Sequence, residues 1–146
     1  MNSDALIGLS SNEELFKTLL KRIHKNLLKD KGFKKDNQNF RLILNNNGMN
    51  YGFIVNFQKS AFNDKEELRF TVNLGRIRSY NKIDEKFKEY DCRIIEDQKR
   101  LAKIAPKYGY DKWWSITSDT NMDLIESEML DLLQNVAFPW FGLTTD

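Results

Sequence analysis

Asn56, Gln58 and Asn73 can each donate and accept hydrogen bonds, and Arg69 and Arg76 can hold a carboxylate or a phosphate through two parallel bonds. Residues of this kind suit recognition better than bond breaking, since none is a ready acid, base or nucleophile at neutral pH. Trp113 and Trp114 extend the set, because an indole offers a large contact area with little side-chain entropy to lose. In a strand these two neighbours point to opposite faces, so one joins the core and the other flanks the polar face. The expected binding set is Asn56, Gln58, Arg69, Asn73, Arg76 and Trp114. The competing explanation is a wet side of an antiparallel sheet that needs no ligand.

Other reactive residues offer less. His24 lies among lysines at the edge of an apolar helix arc and reads as a boundary residue rather than a base. Cys92 beside Arg93 could have a lowered thiol pKa, but a buried, inert cysteine is the simpler explanation. One Cys and one His cannot furnish a zinc site of ordinary spacing, and one Cys closes no internal disulfide. The run from Asp119 to Asp123 starts like a calcium loop, yet Leu124 stands where Gly is needed and Leu130 where Glu is needed. No nucleophile elbow, Walker loop, GxGxxG or HExxH motif occurs. The sequence therefore points to no catalytic residue, metal or cofactor.

The 146 residues (17.3 kDa) have room for one core, and 10 Phe, 5 Tyr and 3 Trp carry too much apolar bulk for a disordered chain. A single domain over 1–146 is expected. The early apolar stretch from Ala5 to Leu9 is too short for a secretory signal, and Val136 to Leu143 is too short to span a bilayer. A cytoplasmic protein with no membrane association is the simplest expectation. The net charge of +2 hides a separation: basic residues crowd between Lys17 and Lys35, and none follows Lys112. Lys17, Lys21 and Lys25 could displace counterions from a phosphate backbone, although a solvated helix face explains them equally. The acidic last helix would oppose such binding if it lay on the same side.

These side chains need elements to position them. Ser11-Asn-Glu-Glu14 has the form of a capping box, and Leu15, Phe16, Leu19, Leu20, Ile23 and Leu27 then share one helical arc, with Gly32 as the stop. After it the period becomes alternating: Phe40, Leu42 and Leu44 on one face, Arg41 and Ile43 on the other. Asn47-Gly48 is a type I′ hairpin signal that pairs Leu44 with Tyr51, Leu42 with Phe53 and Phe40 with Val55, so turn and alternation agree. A third strand, Leu68 to Gly75, is expected to set Phe70 beside Val55, Val72 beside Phe53 and Leu74 beside Tyr51. Its reverse face would then carry the row Asn39, Asn56, Arg69. A short helix around Asp84 to Glu89, a helix or strand from Cys92 to Ile104, and a strand at Trp113 to Thr117 follow. Ser118 or Thr120 caps a last helix that ends near Pro139, with Met122, Ile125, Met129, Leu132, Leu133 and Val136 inward and Asp123, Glu126, Glu128 and Asp131 outward. The fold class is α+β: an antiparallel sheet of about five strands with an N-terminal and a C-terminal amphipathic helix packed on one face.

The succession Gly32-Phe33-Lys34-Lys35, Asn56-Phe57-Gln58-Lys59-Ser60, Phe70-Thr71-Val72-Asn73-Leu74-Gly75, Asp91-Cys92-Arg93 and Asp111-Lys112-Trp113-Trp114 resembles the bacterial domain-of-unknown-function family 4304. The likeness runs over roughly residues 12–142. It implies a small α+β protein with strand structure within 92–104, and it assigns no activity. Ala102 stands where the family tends towards Gly. The reading that follows is a cytoplasmic binding module that engages a protein partner through the polar sheet face. The alternative is a small-molecule or nucleic-acid binder, and an enzyme of unknown type is the third. A deep concavity lined by Asn56, Arg69, Asn73 and a tryptophan would favour a small ligand; a flat surface would favour a partner. Oligomeric state is not legible.

Overall fold

The computed structural model describes residues 3–91 and 97–143. Helix α1 spans Ser3–Ile23. It therefore begins ahead of the expected Ser11 cap, because Ala5, Leu6 and Leu9 continue a helix-forming sequence upstream and Ser11 falls inside it. Phe16, Leu19, Leu20 and Ile23 are buried, while Lys17, Lys21, Arg22 and Lys25 are exposed. The chain then makes one wider turn over His24–Leu28, where the Lys29 N–H reaches the His24 carbonyl at 2.8 Å. The Phe33 N–H closes the helix end on the Leu28 carbonyl at 3.0 Å, around Gly32 as expected.

The sheet consists of β1 (Lys34–Asp36), β2 (Asn39–Asn46), β3 (Met49–Lys59), β4 (Leu68–Ser79), β5 (Gln98–Arg100) and β6 (Trp114–Ile116). All pairings are antiparallel in the order β1-β2-β3-β4-β5, with β6 joining the same edge of β4 as β5. Asn47 and Gly48 both adopt positive φ (55° and 85°), and the β2–β3 register matches the sequence-based one residue for residue. The β3–β4 register does not. Val55 faces Leu74 and Phe57 faces Val72, while Phe53 faces Arg76 and Tyr51 faces Arg78, so β4 has slid by four residues from the expected pairing. The slip leaves Phe70, Val72 and Leu74 on the greasy face, because the side-chain period is two. The connecting loop holds the register: Asn63 accepts from the Arg69 N–H at 2.8 Å and donates to its carbonyl at 3.1 Å, and the Ser60 N–H donates to that carbonyl at 2.8 Å.

The core lies between the greasy sheet face and the helices. Helix α2 (Leu101–Ile104) is a single turn, followed after β6 by α3 (Met122–Leu132), another wide turn at Leu133–Ala137, and α4 (Phe138–Phe141). Phe16 on α1 meets Phe70 at 5.3 Å, Phe53 meets Phe141 at 5.2 Å, and Phe33 stacks on Phe138. The cap of α3 is Asn121, whose side chain accepts from the Asp123 and Leu124 N–H groups; Thr120 instead accepts from the Thr117 N–H. Pro139 does not end the helix but sits in the first turn of α4, where its missing N–H is harmless. The expected short helix around Asp84 to Glu89 is a turn followed by one helical turn at Glu89–Asp91.

Candidate functional site

Four strands contribute one residue each to a polar row on the sheet face away from the helices: Asn39, Asn56, Asn73 and Arg100 pair in sequence across β2, β3, β4 and β5. Their side chains interlock. Asn56 donates to Asn39 at 2.7 Å, Asn73 donates to Asn56 at 3.0 Å and to Gln58 at 2.8 Å, and Arg100 donates to Asn73 at 3.1 Å. Arg100 also grips both oxygens of Asp111 at 2.8 and 3.0 Å and lies 5.4 Å from the Trp113 ring. Gln58 is exposed and its NH2 donates to nothing among the described residues. A chain of mutually polarised amides of this kind is rigid, so a partner would meet it already ordered.

The expected binding set divides. Asn56, Gln58 and Asn73 come together as expected. Arg69 is exposed on the same face but stands apart from them, since the intervening Thr71 is buried and donates to the Lys112 carbonyl at 2.9 Å. Arg76 faces the other way. Opposite Phe53 on the helix side, it donates to Asp97 at 2.8 Å and to the Trp140 carbonyl, and its guanidinium lies 4.2 Å from the Trp140 ring. Trp114 is buried, stacked on Phe70 with its indole N–H donating to Glu128 at 3.0 Å. The tryptophan that flanks the polar row is Trp113. Trp113 immediately precedes β6, so the two neighbours still part, with the two roles exchanged.

The hairpin end of the same face is covered. Ile77, Ile83 and Phe87 close over Ile54, and only a glycine at position 52 permits it: a Cβ there would stand 2.8 Å from Ile77 Cγ2 and 3.0 Å from Phe87 Cζ. Arg41, buried beneath, donates from Nε to the Phe87 carbonyl at 2.7 Å and from Nη1 to Asp36 at 3.0 Å, and Lys86 reaches the same carboxylate at 3.2 Å. These two cations hold the Asp36 carboxyl below the usual carboxylate range. Between β1, β2 and this segment opens a cleft of about 460 Å³ that touches none of Asn56, Arg69, Asn73 or either tryptophan.

On the helix side, α3 lies against α1, and Glu126 is not outward as expected: it is buried, bonded to Arg22 at 2.6 Å and to Asn26 at 2.9 Å. Glu128 is half-buried and accepts from Trp114 and from the Tyr108 hydroxyl. Burial and this bond push the Tyr108 hydroxyl up to about 12. Burial alone would raise Glu128, but the two hydrogen bonds and the ammonium groups of Lys107 and Lys112 hold it below the usual range. A tyrosine held protonated and a carboxylate held ionised form a structural clasp, since neither is poised to exchange a proton near neutrality. Lys17 pairs weakly with Glu14, and Lys21 and Lys25 are exposed. His24 is half-buried and its Nε2 donates to the Phe33 carbonyl at 2.9 Å. Cys92 and Arg93 lie outside the described residues. Among the described residues no group of three or more His, Cys, Asp or Glu could hold a metal ion, and no helix is long and apolar enough to cross a membrane.

The fold and this site define an α+β protein with an open, amide-lined sheet surface. The family model described as Domain of unknown function (DUF4304) matches residues 24–143, and the chain belongs to that family. No curated protein and no solved structure matches it.

Sequence reasoning missed Arg100, Asp111 and the cleft. Asn39 was within reach through the hairpin register. Arg100 was not, because the alternation in β5 lasts three residues and its pairing is set only by the register of β4.

Proposed function

We propose that this protein is a non-catalytic, cytoplasmic binding module whose polar sheet face engages a protein partner. The observation that carries the reading is the interlocked row Asn39, Asn56, Asn73 and Arg100, bordered by Trp113, on a surface apart from the cleft. An arginine and an indole are residue types that protein interfaces favour at their centres, and amides already ordered leave little entropy to be lost on binding. The lone Cys92 suits a reducing compartment, and the family resemblance suits a bacterial source. The test is capture from cell lysate with the protein, with Gln58→Ala and Trp113→Ala, and with Lys17→Ala on the opposite side as control. The reading expects one partner retained by the parent and the control and depleted about tenfold by the two face variants, a loss of about 1.4 kcal/mol. A partner captured equally by all four proteins, or none by any, refutes it.

A further inference from the structure

We propose that the cleft between β1, β2 and the segment 82–86 binds a small organic polyphosphate of nucleotide size. Its volume of about 460 Å³ falls within the roughly 300–1,000 Å³ of small-molecule sites. Lys34 and Arg41 are direct partners in the β1–β2 ladder, so they project from the same face, and Asp36, Ile43 and Asn50 share that face by alternation. The covering segment adds Lys82, Ile83, Glu85 and Lys86 to the lining.

The lining carries Lys34, Lys35, Arg41, Lys82 and Lys86 against the carboxylates of Asp36 and Glu85. Asp36 is already neutralised by Arg41 and Lys86 at 3.0 and 3.2 Å, and Glu85 is exposed. Lys34 and Lys82 make no ion pair among the described residues, and they line the cleft from two different elements, β1 and the covering segment. A concavity with one dominant sign of charge focuses its field on a counter-charge inside it. Two unmatched ammonium groups lining one cavity suit a ligand with more than one phosphate rather than a single carboxylate. Ile43 and Ile83 add an apolar wall, with Ile43 36% exposed, against which the organic body of the ligand would lie. A cavity of about 460 Å³ matches a compact ligand, whereas a nucleic-acid strand is held along an extended groove that tracks its backbone.

Isothermal titration of the full chain with ATP, and separately with inorganic tripolyphosphate, tests this at about 50 mM salt, where phosphate contacts are least screened. Lys34→Ala and Lys82→Ala should each weaken ATP binding about tenfold and leave thermal unfolding unchanged, since both side chains are exposed. ATP should bind more tightly than tripolyphosphate. The proposal is overturned by no binding of ATP, by unchanged affinity in the Lys34→Ala/Lys82→Ala double variant, or by tripolyphosphate binding as tightly as ATP. A short oligodeoxynucleotide that binds more tightly than ATP also overturns it. Gln58→Ala should bind ATP normally, so failure here and failure of the protein-partner reading are separable.

Discussion

Replacing Arg41 by Met keeps most of the buried volume and removes the guanidinium that ties β2 to the segment above it. The Nε bond to the Phe87 carbonyl, 2.7 Å long and buried, is a charged-donor bond of about 1.5–3 kcal/mol. The pair with Asp36, whose side chain is 34% exposed, adds about 0.5 kcal/mol in partial contact with water. Together they predict a loss of about 3 kcal/mol, or roughly 6–12 °C in Tm for a chain of this size. Urea unfolding with an unchanged m-value measures it. The pH dependence separates the two parts. Asp36 has a lowered folded-state pKa, so its contribution is present above the ordinary value of 3.8 and disappears as pH falls through the lower folded one. The gap between parent and variant should be flat through neutrality and narrow in acid, leaving the carbonyl bond alone. Arg41→Lys should recover only the acid-sensitive part, because an ammonium cannot reproduce the fork. A loss below about 1 kcal/mol, or a gap that widens in acid, would refute the assignment.

Phe53→Ala, at a ring 7% exposed against Phe141, should cost about 3–5 kcal/mol in chemical denaturation. Arg69→Ala should stay within about 0.5 kcal/mol of the parent; if it unfolds the domain, the polar face is structural. Tyr108 should ionise only near 12 when phenolate absorbance is followed. Its stabilising contribution is complete below the ordinary value of 10.0 and is lost as pH rises through the folded value, and Glu128→Gln should bring the titration back down.

Residues that repeat with a fixed period declared their positions in advance. The arc of α1, the Asn47-Gly48 turn and the alternation of β2, β3 and β4 depend on neighbours a few positions away, and these local rules set which face each side chain takes. That is why Asn56 and Asn73 share a face, and why Trp113 and Trp114 part company. The register of β4 was invisible because a shift by an even number of residues leaves the hydrophobic pattern satisfied, and hydrogen bonds of the folded loop, from Asn63 and the Ser60 N–H to Arg69, distinguish the two registers. The contacts that depend on that register were decided in three dimensions: the meeting of Arg100 with Asn73, the packing of Arg76 on Trp140, and the closing of Phe87 over Gly52. That Arg76 leaves the polar face follows already from its parity with Phe70, Val72 and Leu74. The cleft belongs to this second kind. Lys34 and Lys82 lie 48 residues apart in the chain, and no periodicity connects them; the covering segment brings them to one cavity because Arg41 and a bare glycine let it lie against the sheet.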